Sequence, residues 1–207
     1  MLVVSRLQAT RDDRTLFEEL SFSLNPGDII QLAGPNGAGK TTLLNCIVGL
    51  TRPDAGNIQW QDDHSGRFRQ PFSYIGHQLG LKLLLTPLEN LDWLGRLRGL
   101  VYQRAEVMQA LVKVGLSGYE DVPVGRLSAG QKRRVALARL FVENARVWVL
   151  DEPFTAIDQN GVQRLEGWLT THAGKGGMVL LTTHHRFPAE FPVRALALDA
   201  FAPAESR

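Results

Sequence analysis

The sequence has a single cysteine, Cys46, in 207 residues. A lone thiol excludes an intramolecular disulfide framework and suits a reducing compartment. Cys46 falls in a predicted helix behind a glycine-rich loop, where it is expected to act as a small buried hydrophobe. Long apolar runs are missing as well. A bilayer-spanning helix needs about 20 apolar residues, and the longest candidate, Leu79 to Leu88, is interrupted by Lys82 and Pro87. The N-terminal Met1-Leu2-Val3-Val4-Ser5-Arg6 lacks the charged-then-apolar order of a secretory signal. The chain is therefore expected to stay in the cytosol and to meet a membrane only through a partner. Charge of one sign is not in excess either: the net charge is +2, which argues against a dedicated nucleic-acid binder.

What is present is 44 % hydrophobic and 21 % charged residues, the balance of a globular protein long enough for one α/β domain with a small insert. Residues 2–9 and 20–25 read as short strands, and Pro26-Gly27-Asp28 as a turn. Ile29 to Ala33 reads as an apolar strand, followed by a glycine-rich loop and a helix over Thr41 to Leu50. Leu88, Leu91, Leu94 and Leu97 recur at helical spacing, as do Val107, Leu111 and Val114, so residues 79–126 read as a helical insertion. Helix (131–143), buried strand (147–150), helix (about 159–171) and strands at 178–183 and 193–199 follow. Buried strands alternating with helices imply a mainly parallel sheet.

Gly34-Pro35-Asn36-Gly37-Ala38-Gly39-Lys40-Thr41 fits G-x-x-x-x-G-K-[ST] between a predicted strand and a predicted helix. Such a loop turns successive backbone N–H groups toward phosphate oxygens, and the next helix adds its positive end. Lys40 is placed to reach the β- and γ-phosphates, Thr41 to ligate Mg²⁺, and Thr42 to add a phosphate contact. The strand Val147 to Leu150 ends in Asp151-Glu152. Beside a phosphate loop, Asp151 is expected to hold the metal through water, and Glu152 to orient and deprotonate the attacking water.

Leu127-Ser128-Ala129-Gly130-Gln131 lies between these motifs. Ser128 can cap a helix starting near Gln131, and a helix N-terminus attracts anions. Here the chain resembles the ABC ATPase family, whose signature is Leu-Ser-Gly-Gly-Gln; Ala129 departs from it. The resemblance implies a P-loop α/β fold with a mainly parallel core (1–78 and 127–207), an N-terminal antiparallel part and a helical subdomain (79–126). It also implies a head-to-tail homodimer, with Ser128, Gly130 and Gln131 of one copy meeting the ATP held by the other. Gln78 matches the loop glutamine that contacts Mg²⁺ and the water. Asp158, in Ala156-Ile157-Asp158, matches the loop that crosses the dimer interface. His184 matches the histidine that contacts the γ-phosphate, with His185 beside it. His64, His77 and His172 are read as solvent-facing or structural. Arg11 stands near the place of the adenine-stacking aromatic. It either stacks its guanidinium on the base or is a solvated loop charge.

The runs Leu127 to Leu140, Leu150 to Asp158, Ile75 to Lys82 and Thr86 to Leu91 are most similar to the ATP-binding subunits of haem-exporter-type transporters of cytochrome c maturation (CcmA-like). That implies a peripheral subunit on the cytoplasmic face of the bacterial inner membrane. It also implies, as partners, a CcmB-like integral membrane subunit and further haem-handling membrane proteins. Another small transporter, or a soluble non-transport ABC ATPase, is the alternative. With no Cys-x-x-Cys-His present, direct haem binding is not expected.

Overall fold

Side-chain alternation on buried strands divides this protein into two cores. The computed structural model describes residues 1–61 and 72–203; His64 lies outside them. Strands β1 (Leu2–Arg11) and β2 (Arg14–Leu24) form an antiparallel hairpin, and β4 (Ala55–Trp60) pairs with the other edge of β1. The hairpin is longer than the sequence suggested. Asp12 and Asp13 take φ of 52° and 59° and close it in two residues, a left-handed pair that short polar side chains tolerate.

The second sheet is parallel, in the order β5 (Phe72–Ile75), β6 (Val147–Asp151), β7 (Met178–Thr182), β3 (Ile29–Ala33), β8 (Arg194–Ala197). Val147, Val149, Met178, Leu180, Ile30 and Leu32 face the antiparallel sheet and α1 (Lys40–Ile47). Their neighbours Trp148, Leu150, Val179, Leu181 and Ile29 face the remaining helices. These are α2 (Pro87–Leu97), α3 (Arg104–Lys113), α4 (Ala129–Val142) and α5 (Gln159–Gly174). The period-2 switch explains why β6 and β7 read as unbroken apolar runs: both faces are buried.

Thr86 caps α2 with a reciprocal capping box to Glu89, and Pro87 takes the first helical position, where a missing N–H costs nothing. Among the described residues, no helix is long and apolar enough to cross a membrane.

Candidate nucleotide site

β3 runs into the loop 34–39 and out into α1, which points its N-terminus at a cleft of about 570 Å³. Gly39 occupies the N-cap with φ 92°, and a Cβ there would come within 3.0 Å of Leu16 Cβ, so backbone and space both require glycine. Asn36, Gly37, Gly39, Lys40, Thr41 and Thr42 line the cleft. Gly34, Pro35 and Ala38 shape the loop behind them: Lys40 Nζ donates to the carbonyls of Gly34 (2.7 Å) and Pro35 (3.0 Å), and Ala38 N–H donates to Pro35 O (3.2 Å). The ammonium is thus drawn across the mouth of its own loop.

The far wall is the C-terminal end of the parallel sheet, where Asp151, Glu152, Thr182 and His184 line the same cleft. Asp151 is 2 % exposed, a placement a carboxylate tolerates only when hydrogen bonds replace its water. It accepts from Thr41 Oγ1 at 3.0 Å and from Thr182 Oγ1 at 2.6 Å. Thr182 Oγ1 in turn accepts the Glu152 N–H at 2.9 Å. Glu152 has φ 50°, the left-handed region unusual for a side-chain-bearing residue, as the chain turns off the strand. Its Oε2 accepts the His184 N–H at 3.3 Å, and its Oε1 lies 3.6 Å from His184 Nε2.

Behind them, Arg133 of α4 is 5 % exposed. Burial pushes its guanidinium down, while the negative charges of Asp151 and Glu152 hold it up. Burial first, and then the Asp151 charge, push the Tyr74 phenol up to about 12. It stays a neutral donor to Asn45 Oδ1 at 3.0 Å, tying β5 to α1.

Thr41 Oγ1 and Asp151 Oδ2, two hard oxygen donors 3.0 Å apart, suit Mg²⁺, a cation that takes oxygen ligands and keeps several waters. Among the described residues, no cluster of three His, Cys, Asp or Glu exists to hold a metal without such help.

Other expected residues fall elsewhere. Gln78 does not line this cleft. The chain bends after β5 and adjacent side chains diverge: His77 faces the cleft, and Gln78 faces a groove of about 300 Å³ with Leu50, Leu79, Leu97 and Arg139. His77, read as solvent-facing or structural, is thus exposed but at the site. His172 is half-buried, stacked on Trp148 at 3.9 Å. Arg11 lines the cleft with Arg14 and Leu16, largely exposed and 3.6 Å from Asp12; among the described residues, no phenyl, phenol or indole ring lines the cleft.

Ser128, Gly130, Gln131 and Asp158 are not among the residues lining the cleft of their own chain. Ser128 caps α4: its Oγ accepts the Gln131 N–H (3.2 Å), and Gln131 Oε1 accepts the Ser128 N–H (2.9 Å). A Cβ on Gly130 would lie 2.6 Å from Ala156 O, so only glycine lets α4 approach the loop 152–158 this closely. Asp158 caps α5 by accepting the Gly161 N–H at 2.7 Å.

Thr182 escaped the sequence reading. Its signal was available, a hydroxyl ending an otherwise apolar strand, but only the register pairing Asp151 with Thr182 gives it a partner.

A profile of the family described as ABC transporter matches residues 17–155. The cytochrome c biogenesis ATP-binding export protein CcmA of Escherichia coli O157:H7 is 51 % identical over 203 residues, covering 96 % of each chain. The corresponding CcmA 2 of Salmonella paratyphi A is 52 % identical, over 96 % of this chain and 97 % of its own. Among solved structures, a dimeric ATP-binding cassette in a post-hydrolysis state, bound to ADP and Pi, matches with a TM-score of 0.82. That match covers 95 % of this chain and 94 % of the other at 22 % identity, a likeness of fold. The chain belongs to the ABC transporter family and, within it, to the cytochrome c biogenesis ATP-binding export proteins of the CcmA type.

Proposed function

We propose that this chain is the ATP-hydrolysing subunit of a membrane complex that serves haem delivery in c-type cytochrome biogenesis. It works as a homodimer with ATP between the copies, on the cytoplasmic face of the bacterial inner membrane, beside a CcmB-like integral membrane subunit. The observation that carries the ATPase reading is the linked row Thr41–Asp151–Thr182–Glu152–His184, which joins the glycine loop to the ends of β6 and β7. The haem-delivery role is supported by the printed names of relatives about half identical over nearly the whole chain.

Loop N–H groups and Lys40 bind the phosphates, drawing the ammonium from the loop carbonyls to the stronger anion. Thr41 and Asp151 would hold Mg²⁺, which supplies neutralisation of phosphate charge. Glu152 takes a proton from the water whose oxygen attacks the γ-phosphorus. The bond to the bridging oxygen breaks, and its electron pair leaves with ADP. His184 donates toward the γ-phosphate. Ser128 and Gly130 reach the γ-phosphate of the partner copy, because their helix end does not open into their own cleft. Gln78 joins the site when the loop after β5 rearranges around nucleotide. Residues 79–126 form the helical subdomain, and the groove beside Gln78 turns toward the membrane subunit.

The test is complementation in a host lacking its own copy. Wild-type chain is expected to restore covalently haem-staining c-type cytochromes, and Lys40→Ala is not. Full restoration by Lys40→Ala would overturn the reading.

A further inference from the structure

His185 has no part in the mechanism above, yet it is held more firmly than the histidine before it: its side chain is 24 % exposed, against 70 % for His184. One face of its ring stacks on Phe154, with centroids 4.5 Å apart and planes at 27°. Phe154 stands two residues beyond Glu152 on the same loop. The His185 Nε2–H donates to Glu166 Oε1 on α5 at 2.8 Å, and its backbone N–H donates to Thr183 Oγ1 at 2.9 Å. Phe187 meets both rings edge-on, 5.6 Å from Phe154 and 5.1 Å from His185, and stacks on Phe191 at 4.3 Å.

Glu152 and His184 leave the sheet on adjacent strands and touch only through long contacts of 3.3 and 3.6 Å. Contacts of that length link the two residues but set no tight spacing by themselves. The stacked pair beneath them does, because ring stacking and a hydrogen bond to a carboxylate each restrict orientation. We infer that His185 is a positioning residue for ATP hydrolysis: by clamping Phe154 and Glu166, it fixes the spacing between His184 and Glu152. The inference rests on the roles given above to those two residues.

The test compares steady-state ATPase against ATP concentration for the full chain in its membrane complex, with Tm and ATP affinity measured for each variant. His185→Ala is expected to lower kcat about tenfold, with KM for ATP within about twofold, because small misplacements act on the transition state rather than on binding. Glu166→Ala is expected to lower kcat in the same direction, while Glu166→Gln, which keeps an oxygen acceptor, retains more than about half of it. The double variant His185→Ala/Glu166→Ala is expected to be no slower than His185→Ala, since the two act as one unit. If His185→Ala does not fold, the Glu166 pair alone decides. Unchanged kcat in His185→Ala and Glu166→Ala would overturn the inference. So would a kcat that falls only in step with Tm and ATP affinity. Glu152→Gln in the same assay separates the two levels: its loss of turnover upholds the base, and retained turnover removes the base and this inference with it.

Discussion

The Thr182 hydroxyl donates to Asp151 Oδ1 at 2.6 Å and accepts the Glu152 N–H at 2.9 Å. One side chain on β7 thus sets both acids at the end of β6. Removing it leaves a buried carboxylate short of a donor, and a hydrogen bond to a charged group contributes about 1.5–3 kcal/mol. Thr182→Val is nearly the same shape. It is expected to lower unfolding stability by about that amount and to cut turnover about tenfold, as a misplaced catalytic group does. Denaturant titration and ATPase assays check both.

Glu152→Gln keeps the size of the residue and loses the proposed base. General-base removal costs about 10²–10⁴-fold in rate, so turnover is expected to fall by at least about 10²-fold while ATP affinity stays within about threefold. Nucleotide titration beside phosphate-release kinetics measures the two separately.

Arg11, the residue proposed to stack on the base, lines the cleft with Arg14 and Leu16. A guanidinium stacks on either purine without reading its edge. GTP is therefore expected to support turnover within about tenfold of ATP, and Arg11→Ala to weaken both nucleotides alike. Parallel ATP and GTP kinetics on wild type and Arg11→Ala test this; a preference above about 100-fold would contradict it.

Burial against Trp148 pushes the His172 imidazole below its ordinary value, opposed by its hydrogen bond with the Arg146 carbonyl. The unfolded chain therefore binds that proton more readily than the folded one. The contribution is fully present above the unfolded value of 6.5 and is lost as the pH falls below it. Wild type is expected to lose more stability between about pH 7 and pH 5 than His172→Phe, which keeps the stack but cannot titrate. Urea unfolding at the two pH values measures the difference.

The glycine loop and the acidic strand end were legible because each is local: the loop 34–39 is one continuous peptide, and Asp151-Glu152 terminate an apolar run. The two cores were partly legible, since β6 and β7 are apolar on both faces. What escaped depends on register or on backbone twist. Thr182 acquires its role only through the pairing of β6 with β7. Gln78 and His77 exchange places relative to the cleft because a bend after β5 sends neighbouring side chains apart. The first hairpin runs longer than its apolar residues suggested because Asp12 and Asp13 adopt left-handed φ.

The central claim, ATP held between two copies, is tested most directly by the mass of the Glu152→Gln chain in solution with Mg²⁺ and ATP, read by light scattering. The mass is expected to double on adding ATP. Ser128→Arg in the same background is expected to bind ATP still but to stay monomeric. A Glu152→Gln chain saturated with ATP that remains monomeric, or an ATP-induced dimer indifferent to Ser128→Arg, would contradict it.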